Sequence, residues 1–254
     1  MTEKQLEHGF WLWEPENEFP PKSIVYTSEY QGQEIVNVSF TQRLNKTPQQ
    51  QKILTKEWVD FLPTCKKIEM LWFTSLTTQK IFNSVCEIDN LIGLNIKWSN
   101  IKTLDNIEKL KKLKYLRIGS SAQIESILPL TTLKKLEVLY IENLKKIKDF
   151  SLLGNLTNLK FLSIEGSMYT KQKVNSFNFL TDLINLIYLS TAMVSCDDKS
   201  VDSLLRLKKL VTLNWASKLS NEDIAALKAN LHELKYLPHR YNMENINKIK
   251  ALFE

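Results

Sequence analysis

Apolar positions along this chain follow a rule that changes step partway through each unit. From Leu104 to Ile118 they fall at Leu104, Ile107, Leu110, Leu113, Leu116 and Ile118, with polar or charged residues filling most of the gaps. The final step of two fits an extended strand, because alternate strand residues share a face. The steps of three before it fit a short helical or 3₁₀ arm that points its apolar side to the same interior. The same rule returns as Leu130, Leu133, Leu136, Leu139, Ile141, as Leu153, Leu156, Leu159, Leu162, Ile164, as Leu180, Leu183, Leu186, Leu189, and as Leu204, Leu207, Leu210, Leu213, Trp215. Each unit therefore predicts one strand and one arm.

A strand signature, L-x-x-L-x-(L/I), starts at Ile68, Leu91, Leu113, Leu136, Leu159, Leu186, Leu210 and Leu234, at intervals of 23, 22, 23, 23, 27, 24 and 24 residues. One unit cannot cover its own leucines. Each buried Leu or Ile contributes roughly 1.5 to 3 kcal/mol, so the favourable term exists only when neighbours close the core above and below. Self-similarity at this period marks a solenoid. The runs "LDNIEKLKKLKYLRI", "LTTLKKLEVLYI" and "LGNLTNLKFLSI" resemble leucine-rich repeat proteins of the short-repeat, SDS22-like or internalin-like type, over about residues 66 to 240. The resemblance implies an α/β fold: a curved right-handed coil with a parallel sheet on its concave face, and caps at both ends. It is silent on the partner, because such repeats serve many.

In one respect the chain departs from that pattern. Three residues after the last strand leucine the family commonly has Asn, whose amide satisfies backbone groups between coils. Here the places hold Ser99, Ser121, Leu144, Ser167, Val194 and Lys218. Ser hydroxyls, backbone or water must then take over, and regularity is least expected after Leu186, which an interval of 27 residues precedes.

A solenoid end exposes leucines and strand edges, so caps are expected. Residues 1–67 read as an N-terminal cap with strands at Ser23 to Tyr26 and Gln33 to Phe40, where Ile35, Val38 and Phe40 echo a degenerate unit. A helix is expected over Pro48 to Leu62. Residues 68–240 read as the repeats and 241–254 as a C-terminal capping helix. Within these, Ser220 to Leu231 and Met243 to Leu252 read as helices, with Ser220 as the N-cap of the first.

In the implied fold, the third, fifth, seventh and eighth residues from each starting leucine face the concavity. The candidate partner-binding residues are then Met70, Trp72, Lys97, Trp98, Tyr115, Arg117, Tyr140, Glu142, Phe161, Glu165 and Tyr188. Trp72, Trp98, Tyr115, Tyr140, Phe161 and Tyr188 would make a near-continuous aromatic track. Protein interfaces concentrate Trp, Tyr and Arg at their energetic centres, so a protein ligand is the natural reading. Aromatic rings also stack between coils simply because they suit strands, and the two readings can hold together.

Charge adds a second candidate surface: 34 basic against 28 acidic residues, with lysine doublets at Lys66/Lys67, Lys111/Lys112, Lys134/Lys135 and Lys208/Lys209 just before strand starts. Such an edge could meet nucleic acid or another anion. The stripe is broken by Asp89/Asn90, Thr157/Asn158 and His232/Glu233, so a solvated edge is favoured and nucleic acid is not the expected partner.

Chemistry of other kinds finds little support. His8, His232 and His239 stand at no metal-ligand spacing. No G-x-x-x-x-G-K loop and no G-x-S-x-G elbow occurs. Cys65, Cys86 and Cys196 adjoin apolar residues and read as buried thiols; their odd number and wide spacing argue against a disulfide framework. The start, "MTEKQLEHGFWLWEPENEFPP", has no apolar core of signal-peptide length, and no run approaches the roughly 20 apolar residues of a membrane span. The expectation is a cytoplasmic, non-enzymatic protein-binding scaffold with no cofactor, no metal and no membrane partner. A more specific version is an inhibitor or immunity protein for a toxin or enzyme. The alternatives are an anion binder using the lysine edge and a ligase-type enzyme adaptor.

Overall fold

The structure, a computed structural model, describes residues 19–198 and 200–237. Eight strands form one parallel sheet: β1 (Ile35–Val38), β2 (Met70–Phe73), β3 (Gly93–Ile96), β4 (Tyr115–Ile118), β5 (Val138–Glu142), β6 (Phe161–Glu165), β8 (Tyr188–Ser190) and β10 (Thr212–Asn214), in that order across the sheet. Between β6 and β8 the chain makes β7 (Gln172–Val174), which pairs in parallel with β9 (Val194–Cys196) as a separate two-stranded ribbon. The expected fold class, a leucine-rich repeat solenoid with its parallel sheet on the concave face, is what is observed.

The arms on the other side of each coil are helical in the way the steps of three require. The first two are true α-helices, α1 (Pro48–Phe61) and α2 (Gln79–Val85), and a third, α3 (Asn221–Asn230), follows the last strand. Between them lie 3₁₀ turns at Ile107–Lys109, Leu128–Thr132, Ser151–Asn155, Asn178–Asp182 and Leu204–Arg206. Coil length accounts for α1: Ile35 pairs with Met70, 35 positions on, which leaves room for it, whereas Gly93 pairs with Tyr115 only 22 on; α2 lies in a coil of ordinary length, between Met70 and Gly93. Thr47 caps α1 by accepting from Gln50 N–H with Pro48 opening the helix, and Ser220 caps α3 by accepting from Asp223 N–H.

The core is a stack of like residues. Leu71, Leu94, Leu116, Leu139, Leu162, Leu189 and Leu213 are in register and buried, and Phe73, Ile96, Ile118, Ile141 and Ile164 form a second buried row. At the N-terminal end Trp58 of α1 stacks on Phe40, ring centroids 5.1 Å apart, and donates its indole N–H to Val25 O at 2.7 Å. The segment read as a cap thus contributes the first coil of the solenoid.

Several expectations need correction. Ser23 to Tyr26 is no strand; only Ile24 bridges to Val38. The Glu29 carboxylate accepts the N–H groups of Val25 and Tyr26 at 2.7 and 2.8 Å, which turns the chain into a 3₁₀ turn at Thr27–Glu29. The second predicted strand shortens to Ile35–Val38, and Ile35 is exposed: the core positions are Val36 and Val38, opposite Leu71 and Phe73. In the final unit Tyr236 makes only a bridge to Thr212. The expected helix from Met243 to Leu252, like His8 and His239, lies outside the described residues.

Where the family's Asn ladder is missing, hydroxyls do part of its work. Ser99 and Ser121 share a hydrogen bond at 2.7 Å across adjacent coils, and Ser121 Oγ donates to Gly119 O at 2.5 Å. Leu144 is instead buried in the core. The long interval is filled by β7, whose Gln172 side chain is buried and donates to Ile147 O at 2.8 Å, Lys173 O at 2.9 Å and Leu144 O at 3.3 Å.

Candidate protein-binding face

Sheet register places two rows of side chains on the concave face, because alternate strand residues point away from the core. One row runs Met70, Gly93, Tyr115, Val138, Phe161, Tyr188, Thr212; the other runs Asn37, Trp72, Asn95, Arg117, Tyr140, Ser163, Ser190, Asn214. A third position exists only where β5 and β6 run longer, pairing Glu142 with Glu165. The candidate residues on strands lie here as expected, but the near-continuous aromatic track does not form. Its members are divided between two rows and interrupted by Gly93, Asn95, Val138 and Ser163.

Burial changes the roles of some of them. Trp72 is only 3% exposed, with Phe19 packed edge-on against it at 5.1 Å. Phe161 is 2% exposed and stacked on Tyr188 at 5.2 Å. Neighbouring strands lie about 4.8 Å apart, so a large ring is covered by its row neighbours; for this pair the stacking ladder is real. Trp98 follows β3 at its rim, with the Lys97 ammonium 5.1 Å over its ring. Met70 lies over Gly93, where a Cβ would stand 2.3 Å from its sulfur.

The middle of the face is a braced polar and aromatic cluster. The Arg117 guanidinium sits 4.7 Å over the Tyr140 ring, and its Nη2 lies 3.9 Å from Glu142 Oε2. Tyr140 donates to Glu165 Oε2 at 2.6 Å, while Ser163 and Ser190 donate to Glu165 Oε1 at 2.7 and 2.8 Å. Burial, reinforced by Glu165, pushes the Tyr140 hydroxyl above the ordinary phenol range, and burial does the same to Tyr188. Both phenols therefore stay protonated near neutral pH. Burial also raises the Glu142 carboxyl, with Arg117 opposing it. In the same row Asn95 Oδ1 and Arg117 Nε are buried with no hydrogen-bond partner among the described residues. Charge-assisted bonds of this kind hold side chains in fixed positions, so the cluster is preorganised. Ser163 and Ser190, which were not among the candidates, complete it; their in-register spacing with Glu165 was the available signal.

Part of the lysine edge is occupied by contacts between coils. Lys66 Nζ donates to Glu87 O at 2.9 Å, Lys112 to Asn90 Oδ1 at 2.6 Å and Lys209 to Asn185 Oδ1 at 2.7 Å. The Asn90, Asn158 and Asn185 amides donate in turn to Lys66 O, Lys134 O and Thr157 O of the coil before. A cleft of about 300 Å³ lined by Lys114, Lys134, Lys135 and Lys160 also contains Glu137, whose carboxyl is held low by its hydrogen bond from Lys160. Lys114 and Lys160 both pair with this carboxylate, at 3.7 and 2.6 Å, so the cleft already holds an anion.

Cys65 and Cys86 are buried, which pushes their thiols to about 11 and about 12, so thiolate is scarce at neutral pH. Cys196, expected to be buried, is partly exposed in β9, the edge ribbon that the sequence did not suggest. His232 is exposed. Among the described residues no His, Cys, Asp and Glu group could hold a metal ion, and no helix is long and apolar enough to cross a membrane.

A parallel sheet of in-register short strands, backed by short helical arms at a period of 22 to 24 residues over most of its length, defines a leucine-rich repeat solenoid. The chain has a leucine-rich repeat fold of the internalin-like type. It is similar to internalin C2 of Listeria monocytogenes, with 26% identity and a TM-score of 0.55 over 69% of this chain and 73% of that one. The plant peptide hormone receptor RGFR1, solved in complex with RGF2, is 16% identical with a TM-score of 0.51, over 70% of this chain and 29% of the receptor chain. No protein-family model and no curated protein matches the chain.

Proposed function

We propose that this protein is a non-enzymatic scaffold that holds a protein partner on its concave face. The observation that carries the reading is the cluster of Arg117, Tyr140, Glu142, Glu165 and Tyr188 in the middle of the sheet, braced by hydrogen bonds, with Arg117 Nε and the adjacent Asn95 Oδ1 buried without hydrogen-bond partners among the described residues. Preorganised aromatic and Arg side chains are what interface centres use, because little entropy is lost on binding. A related fold in the RGFR1 complex also has a bound partner, RGF2. Lys97, Trp98, Tyr115 and Met70 extend the same surface toward the N-terminal end. Trp72 and Phe161 shape it from beneath.

A partner gripped in this way has its own surface covered, so inhibition of a toxin or enzyme, as by an immunity protein, is the specific role we favour. A cytoplasmic setting belongs to the same proposal, supported by three cysteines without a disulfide. The anion-binding alternative has less behind it, since Lys66, Lys112, Lys208 and Lys209 of the lysine edge bond to neighbouring coils and Glu137 sits within its cleft.

The test is a pull-down from the native source with mass spectrometry, repeated with Arg117→Ala plus Tyr188→Ala after circular dichroism shows an intact fold. Loss of the captured partner by the variant supports the reading. Retention of it at wild-type affinity overturns it.

A further inference from the structure

The 27-residue interval does more than add the β7–β9 ribbon. Just before β7 it forms a tight turn at Ser167–Thr170 whose tip residues, Met168 and Tyr169, are 81% and 88% exposed. The base of this turn is closely tied. Ser167 N–H donates to Thr170 O at 2.8 Å, the two hydroxyls share a bond at 2.7 Å, and Thr170 Oγ1 donates to Asn143 Oδ1 at 3.1 Å. Asn143, in the left-handed region at φ 59°, donates to Ser120 Oγ at 3.2 Å and directly follows Glu142.

A neighbouring coil supplies the third apolar tip. Met193, at φ 54°, is exposed, while its carbonyl accepts from Gln172 N–H at 2.9 Å. Gly166 makes the approach possible, since a Cβ there would stand 2.3 Å from Met193 O and 2.4 Å from Thr170 O. Two exposed methionines and a tyrosine therefore ride on a rigid base, at the rim beside Glu142. Met and Tyr are enriched at interfaces, and a fixed base lowers the ordering entropy of binding.

Glu142 supplies the charge. Glu165 receives three hydroxyl donors, whereas Glu142, partly buried, has a backbone hydrogen bond at Ser120 and an ion pair only at its outer limit, with Arg117 at 3.9 Å. A partly buried carboxylate with a distant counter-ion is stabilised by any cation brought to it. We infer that this rim, Met168, Tyr169 and Met193 together with Glu142, docks a segment of the protein partner that presents a Lys or Arg side chain flanked by apolar residues. The inference rests on the proposed protein-binding reading and names the chemistry of its partner.

The probe is a random peptide library displayed on phage, panned against the full chain, followed by affinity measurement on a synthetic peptide from the enriched pool. Enriched peptides should carry Lys or Arg beside apolar residues. Their affinity should fall about tenfold or more with Met168→Ser plus Tyr169→Ser, and with Glu142→Gln, but not with Leu128→Ser, which removes an exposed leucine from a convex arm. Enrichment of acidic peptides, no enrichment, or unchanged affinity in the rim variants would overturn the inference. So would a self-association of the chain that the rim variants abolish while no peptide binds. Arg117→Ala plus Tyr188→Ala separates the two proposals. Loss of the native partner there with Met168→Ser plus Tyr169→Ser unaffected sinks the rim alone, and the reverse pattern sinks the central cluster alone; Glu142, shared by both, is left out of this comparison.

Discussion

Leu162→Ala probes the stacked core where it is most confined. Leu162 is 0% exposed in β6, between Leu139 and Leu189 in the strands on either side, and both of these are also at 0%. Large-to-small core changes cost about 2 to 5 kcal/mol, and the value depends on how far the site can collapse. Collapse is restricted here, because the neighbouring backbones are held by parallel ladders on both sides. We therefore expect the upper part of that range, about 3 to 5 kcal/mol. Equilibrium urea unfolding followed by tryptophan fluorescence reads it directly, with exposed Lys135→Ala as the control. The control should stay within about 0.5 kcal/mol. In a stack bound by nearest-neighbour terms, a central lesion should also broaden the transition. Equal midpoints for Leu162→Ala and Lys135→Ala would refute the assigned register.

Other consequences are as specific. Ser121→Ala removes the hydroxyl shared with Ser99 in a buried site and should cost about 1 to 2 kcal/mol, measured in the same unfolding assay. Gly119→Ala drives a Cβ to 2.1 Å from Lys97 O, a backbone atom that cannot swing away, and should cost about 1 to 3 kcal/mol. Glu142→Gln should leave stability at neutral pH unchanged or slightly raised. Burial raises the folded pKa of this carboxyl, so its ionised form is a penalty that exists above the ordinary carboxylate range and disappears as pH falls through the raised value. A pH series in which wild type gains on the variant as acid is added would agree, and a gain for wild type on going to neutral pH would contradict it.

Much of the fold was legible in spacing alone. The strand leucines and the arm leucines were each assigned to the core from steps of two and three, and in-register pairing of Leu116, Leu139, Leu162 and Leu189 follows from that grammar. Helix α1 could be read from its apolar face, and the N-cap of α3 from Ser220; the Thr47 cap of α1 came from the structure. The strand expected at Ser23 to Tyr26 failed because a single carboxylate, Glu29, captured two backbone donors, which no periodicity reveals. The candidate face was legible as a set of outward positions but not as a surface. Counting from a leucine says which way a side chain points; it does not say that Phe19 covers Trp72 or that Tyr188 covers Phe161. Nor does it show that Ser163 and Ser190 converge on Glu165, since that depends on side chains of two adjacent strands turning to one carboxylate. The lengthened interval before Leu186 was visible, yet its content, the ribbon and the Met168–Tyr169 tip, required the loop path.

Hydroxyl-radical footprinting of the full chain, with and without its captured partner, reads side-chain solvent access at both faces in one experiment. The account predicts protection of Tyr115, Tyr188, Met168 and Tyr169, with exposed Leu128 and Ile184 labelled equally in both states. Protection of Leu128 and Ile184 with the concave and rim residues unchanged would contradict it.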